Sequence, residues 1–255
     1  MIDPARPRRG TLVVTGGGRG IGAAVARLAA ARGFDVGVNY LGDHAAAAAV
    51  VDDARGSGAR AIAVAGDVAR EEDVVRLFTT AERELGPIGA LVNCAGVTGG
   101  FSRVENLSAA TLARVFAVNV FGTILCAREA VRRMSTARGG GGGAIVNVSS
   151  RAARLGGAGE WVHYAASKGA VDAFTVGLAR EVAGEGIRVN AVAPGLVDTG
   201  LHEAAGEPDR VNRLAASIPM RRAGTPQEIA EGVLWLLSPE SSYATGAILD
   251  IGGGR

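Results

Sequence analysis

Short apolar runs rich in β-branched residues alternate along the chain with longer segments whose apolar positions recur at helical spacing. Seven runs read as strands: TLVVT from Thr11, DVGVN from Asp35, AIAVA from Ala61, ALVNC from Ala90, AIVNVSS from Ala144, RVNAVA from Arg188 and AILDI from Ala247. Between them, residues near 20–32, 43–56, 70–85, 108–135, 163–184 and 226–238 read as helices, several ended by stops such as ARGF and LGPIG. Strand runs that are apolar throughout, without polar alternation, are buried on both faces, as in a parallel sheet covered by helices on each side. Right-handed crossovers leave few ways to wind such a sheet. The expected fold is a single-domain α/β Rossmann fold with a seven-stranded doubly wound parallel sheet in the order 3-2-1-4-5-6-7. Its ligand belongs at the carboxyl ends of the strands.

Composition narrows this picture. At 255 residues and 48% hydrophobic content, one large α/β domain over 11–255 is expected, with residues 1–10 (MIDPARPRRG) as a flexible tail. Basic residues exceed acidic ones by 27 − 25 = 2, so no strong global field points to nucleic acid or a membrane surface. No stretch reaches the roughly 18 uninterrupted apolar residues of a membrane helix, and the first residues do not resemble a signal peptide. A soluble, cytoplasmic protein is expected. Cys94 and Cys126 lie in apolar segments and read as core residues, while His44, His163 and His202 lack metal-ligand spacing, so no metal is expected. Gly139 to Gly143 reads as a surface connector.

The stretch VTGGGRGIG, from Val14 to Gly22, follows the first strand and opens a helix. Gly16, Gly20 and Gly22 have the form T-G-x-x-x-G-x-G rather than a strict G-x-G-x-x-G. The mechanism is the same: glycine lets the backbone come close, and the helix start offers free N–H groups to a pyrophosphate.

TGGGRGIG, GDV at Gly66, NCAG at Asn93, Asn119, NVSS, YAASK at Tyr164 and PGLVDT at Pro194 follow one another in the order found in the short-chain dehydrogenase/reductase family. The chain resembles that family from about residue 11 to its end, including 3-oxoacyl-[acyl-carrier-protein] reductases and glucose 1-dehydrogenases. The resemblance implies a nicotinamide cofactor held by Gly16, Arg19, Gly20, Ile21, Gly22, Asn39 and Tyr40. It also implies Asp67 and Val68 at the adenine, Asn93, Ala95 and Gly96 along the adenosine ribose, and Pro194, Gly195, Val197 and Thr199 at the nicotinamide. Cys94 stands where the family commonly has asparagine. The second strand ends on Asn39 and Tyr40 instead of a carboxylate that would repel a 2′-phosphate, and Arg19 suits a phosphate, so NADP(H) is favoured over NAD(H).

Tyr164 and Lys168 lie four residues apart, on one face of a helix. A nearby ammonium lowers a phenol's pKa towards the range where it exchanges protons. The resemblance implies that Tyr164 exchanges the proton with substrate oxygen and that Lys168 binds the nicotinamide ribose. It gives Ser150, 14 residues before Tyr164, the substrate oxygen to hold, and Asn119 a water to anchor. Ser149 is a competitor for Ser150. His163 reads as a pocket-edge or surface residue. Residues 200–225 read as a substrate lid ahead of a helix capped by Thr225 with Pro226 first; Leu201, Met220 and Trp161 are candidates for an apolar wall, and Arg221 and Arg222 read as solvated charges.

The expected activity is reversible transfer of hydride between NADP(H) and a small carbonyl or secondary alcohol, most simply a ketone or 3-oxoacyl reductase. A sugar or polyol dehydrogenase and a non-catalytic NADP(H)-sensing module are the alternatives. By the same resemblance the protein is expected to be a homotetramer or dimer.

Overall fold

The computed structural model describes residues 9–255, apart from the side chain of His202; most of the expected tail lies outside them. Its strands are β1 (Thr11–Thr15), β2 (Asp35–Tyr40), β3 (Ala61–Ala65), β4 (Ile88–Asn93), β5 (Gly143–Val148), β6 (Ile187–Pro194) and β7 (Ile248–Ile251). They form one parallel seven-stranded sheet in the order β3-β2-β1-β4-β5-β6-β7, as expected. The order reverses between β1 and β4, which opens a crevice at their carboxyl ends.

The helices are α1 (Gly20–Ala31), α2 (His44–Gly56), α3 (Glu71–Leu85), α4 (Ala109–Phe116), α5 (Thr123–Met134), α6 (Ala152–Leu155), α7 (Val162–Val182), α8 (Leu201–Ala204), α9 (Arg210–Ala215) and α10 (Pro226–Leu237). Strand periodicity divides them into two cores. Leu12 and Val14 of β1 join a cluster with Ala23, Val50 and Ile229, from α1, α2 and α10. Val13 points the other way, to Leu77, Phe78, Ala130 and Ala179 of α3, α5 and α7. All five β1 residues are therefore buried, and no polar alternation marks the strand.

The segment expected as one helix over 108–135 is continuous but carries a wider π-helical turn, Ala117–Gly122, between α4 and α5. This turn presents Asn119. By length and hydropathy the run Ala109–Met134 is apolar enough to cross a membrane; here Cys126, Ala127, Ala130 and Met134 pack it into the second core. Thr225 and Glu228 form a capping box at α10 with Pro226 in first position, as expected.

Residues 200–225 leave and rejoin the domain at one neck. Asp198 N–H donates to Gly224 O at 2.9 Å and Gly224 N–H to Leu196 O at 2.9 Å. The excursion between them carries α8 and α9 over the crevice.

Candidate active site

A cavity of about 550 Å³ runs along the carboxyl ends of the central strands. Its floor at the reversal point is held by Thr15, whose hydroxyl accepts the N–H groups of Cys94 and Ala95, each at 3.1 Å. Gly16 follows with φ +61°, and a Cβ there would lie 2.8 Å from Ala95 Cα. At Gly22 a Cβ would meet the Gly16 carbonyl oxygen at 2.3 Å, so both glycines are needed for this turn to close onto α1. No side chain caps α1, and its first turn has no acidic residue. Its start, with Gly18, Arg19, Gly20 and Ile21, lines the cavity, which suits an anionic group.

Beyond the glycines, Asn39 is buried and its amide is spent internally: Nδ2 donates to Val64 O at 3.3 Å and Gly66 O at 3.0 Å, and Oδ1 accepts Gly16 N–H at 3.4 Å. Asn39 lines the cavity, and its side chain ties β2 to the glycine turn. Tyr40 lines the cavity and is bonded through its hydroxyl to His44 Nδ1 at 2.7 Å. Arg19 is exposed, and its guanidinium has no partner among the described residues. Among the described residues Asp43 is the one carboxylate in this corner besides Asp67, and it is turned onto Ala46 N–H as the cap of α2. Asp67 accepts Arg114 Nη1 at 2.7 Å and Ala69 N–H at 3.0 Å. Arg114, on α4, lines the cavity beside Asp67 and Val68 and carried no local sequence signal.

Ser150, Tyr164 and Lys168 converge on the other side of the same cavity. α7 places Tyr164 and Lys168 one turn apart, and the Lys168 ammonium lies 5.7 Å from the centre of the Tyr164 ring. Burial pushes the Tyr164 hydroxyl up to about 12, opposed by a hydrogen bond with Ser150. In the cofactor-free protein desolvation is the larger effect on this phenol, and Lys168 Nζ donates to Val148 O at 2.7 Å. Burial also lowers Lys168 to about 8, with Cys94 and Asp172 favouring its charged form. Ser149 and Ser150 both line the cavity; Ser149 is buried with its hydroxyl donating to Lys168 O at 3.4 Å, while the less buried Ser150 accepts Ala152 N–H at 3.1 Å. One signal in the sequence marks this position: Lys168 is the sole lysine among 27 basic residues. Arginine does not give up its proton in proteins and could not replace an amine that titrates near neutrality.

A family model described as enoyl-(acyl carrier protein) reductase matches residues 16–255. The oxidoreductase YgfF of Escherichia coli K12, itself uncharacterized, is 49% identical over 95% of this chain and 98% of its own. The chain belongs to the short-chain dehydrogenase/reductase family. It is 42% identical to the cis-4-hydroxycyclohexanecarboxylate dehydrogenase of Sinomonas cyclohexanicum, over 95% of this chain and 94% of that one. A crystal structure of a blue fluorescent protein from a metagenomic library in complex with NADPH superposes with a TM-score of 0.89 at 33% identity, covering 98% of each chain.

Within this family member the expected site residues divide into those that line the cavity and those beneath it. Gly16, Arg19, Gly20, Ile21, Asn39, Tyr40, Asp67, Val68, Ala95, Gly96, Ser150, Tyr164, Lys168, Pro194, Gly195, Val197 and Thr199 line it. Gly22, Asn93 and Asn119 do not. Asn93 is buried and joins strands, donating to Asn147 Oδ1 at 2.9 Å and Thr123 O at 3.3 Å. Asn119 is fully buried: Nδ2 donates to Val97 O and Ser167 Oγ, both at 2.9 Å, and Oδ1 accepts Val97 N–H at 2.8 Å. Since Ser167 Oγ in turn donates to Tyr164 O at 2.7 Å, Asn119 braces the helix that carries Tyr164.

His163 is buried, not at the surface, with Nε2 bonded to Thr98 O at 2.8 Å. Cys126 is a core residue as expected, whereas Cys94 lines the cavity and its thiol is pushed up to about 11 by burial. Trp161 and Leu201 form part of the cavity wall; Met220 is exposed and stands outside it. Arg222 is an exposed partner of Glu228, and Arg221 donates to Ala216 O, as befits surface charges.

Proposed function

We propose that the protein interconverts a small ketone and its secondary alcohol with NADP(H). The observation that carries this reading is that Ser150, Tyr164 and Lys168 share one cavity with an uncapped glycine-turn helix start. The turn is a cradle that a Cβ would fill, which fits a pyrophosphate, and the uncommitted Arg19 fits a further phosphate. The NADPH complex of a relative supports the same cofactor. Bound there, a nicotinamide supplies or accepts the hydride.

The chain's own residues handle the proton. At neutral pH Tyr164, held at about 12, keeps its proton and is ready to donate it to a carbonyl oxygen as that oxygen gains charge. Ser150, which lines the same cavity as Tyr164, donates to the same oxygen in this reading. Lys168, cationic below about pH 8, supplies the charge that would favour the phenolate left behind. Asn119 keeps α7 in register through Ser167 and Val97.

Ala152, Leu155, Trp161 and Leu201 give the wall beside Tyr164 an apolar character, which favours a hydrocarbon ketone over a sugar. The relative named for a hydroxycyclohexane carboxylate is consistent with that choice. Exposed Leu112, Phe121 and Ile124 on the α4–α5 run suit a homo-oligomer interface, which sedimentation would reveal as a species larger than a monomer. The direct test mixes the protein with NADPH and a panel of cyclic and linear ketones and follows nicotinamide absorbance. Ketone-dependent loss of the signal is expected; no loss with any ketone, and no gain with NADP⁺ and the matching alcohols, would remove the reading.

A further inference from the structure

The substrate end of the cavity holds a cluster of side chains that the proton chemistry does not use. Arg210 opens α9, far along the chain from the catalytic helix, yet is only 4% exposed. Its guanidinium makes two bonds to the Glu160 carboxylate, Nη1 to Oε1 at 2.7 Å and Nη2 to Oε2 at 2.6 Å. It also lies 4.7 Å from the Trp161 ring centre and 5.1 Å from that of Phe101, two rings stacked on each other at 4.6 Å. Trp161 in turn sits 5.5 Å from the Tyr164 ring, and Ala205 of the excursion packs into the same cluster. Glu160, Trp161, Tyr164 and Arg210 all line the cavity.

A solvated surface pair would not look like this. A guanidinium taken out of water needs a carboxylate in fork geometry, and the ring faces supply further attraction. Arg210 Nε is buried with no hydrogen-bond partner, so the cation is held by its Nη forks and the rings. The Glu160 main chain is fixed as well, since its carbonyl accepts Ser102 N–H at 2.7 Å from the Phe101 loop. Three segments distant in sequence therefore meet at one cation; the excursion is also tied to the domain by its neck at Leu196, Asp198 and Gly224 and, past α9, by Met220 N–H, which donates to Gly253 O at 3.1 Å.

We propose that Arg210, clamped by Glu160 against Phe101 and Trp161, is a specificity-determining latch. It holds α8 and α9 over the substrate end, admitting compact ketones and disfavouring bulky or carrier-tethered ones. It acts by bounding the space beside Tyr164 and touches no reacting atom. The specificity half of the proposal rests on the ketone-reductase reading; the latch itself does not.

The chain has two tryptophans, Trp161 and Trp235, and Trp235 lies half-exposed on α10. In a Trp235→Phe background Trp161 is the sole indole reporter of the latch. Arg210→Met is expected to raise acrylamide quenching of Trp161 about threefold and Glu160→Gln about twofold, with Arg210→Lys in between and NADPH affinity unchanged within about twofold. With cyclohexanone and a fused bicyclic ketone as paired substrates, Arg210→Met is expected to narrow the preference for the smaller about tenfold, mainly through KM. Unchanged quenching in both Arg210→Met and Glu160→Gln overturns the latch. Raised quenching with an unaltered ketone preference overturns its role in specificity. If the parent reduces no ketone, the function reading fails and the quenching result still decides the latch. Should Arg210→Met lose its cooperative melt, Glu160→Gln, which keeps a hydrogen-bonding side chain, decides alone.

Discussion

The two ends of the cavity are built by opposite means. The dinucleotide end is made mostly of main chain: the turn from Gly16 to Ile21, the start of α1 and the strand ends beside them. The substrate end is made of side chains brought together from distant segments, with Phe101, Glu160, Trp161 and Arg210 meeting around one cation. A backbone site tolerates few changes because its shape is the binding surface. A side-chain site can be retuned residue by residue while the fold stands, which suits a fold that hosts many substrates.

The contrast is broken most severely at the backbone end. Gly16→Val places a branched side chain where φ is +61° and a Cβ would already lie 2.8 Å from Ala95 Cα. NADPH affinity, read by fluorescence titration, should fall at least about 100-fold, whereas retention within about threefold would show that the turn is not the cradle.

Asn119→Ala tests the brace shared by both ends. It strips partners from Val97 N–H, Val97 O and Ser167 Oγ in a buried setting. Urea unfolding should report a loss of about 2–4 kcal/mol; a loss under about 0.5 would mean that the brace is dispensable.

Arg19→Ala separates the two cofactors. It should weaken NADPH binding about tenfold and leave NADH binding unchanged, and equal losses for both would contradict a 2′-phosphate contact.

The smallest effect is a titration. Because Lys168 is the sole lysine, protein carrying ¹³Cε-lysine gives one lysine signal, expected to titrate near pH 8. The folded value lies below the ordinary 10.5, so between about 8 and 10.5 the unfolded chain holds more protons. Over that window this group's contribution to stability rises with pH, and Lys168→Met removes the slope. A midpoint near 10.5 would show that the amine is not desolvated.

How much of this was legible in the sequence follows the same division. The sheet order, the glycine turn and the pairing of Tyr164 with Lys168 are local patterns, and the structure places them as expected. What escaped depends on partners that only the fold supplies. That the Asn39 amide is also taken up by the carbonyls of Val64 and Gly66 has no trace in the local sequence. His163 reads as a pocket-edge or surface residue, and its burial against Thr98 O depends on a partner 65 residues away. The Arg114–Asp67 pair spans 47 residues and the Arg210–Glu160 pair 50, distances at which no spacing rule operates. Lys168 is the exception: its being alone among arginines was visible in the composition.

The central claim is that the Tyr164 hydroxyl carries the proton while the dinucleotide is held elsewhere. Tyr164→Phe tests it by measuring NADPH affinity and ketone turnover on one preparation. Affinity should stay within about twofold while turnover falls at least about 1,000-fold. A variant that turns ketone over at a rate close to that of the parent would contradict the account.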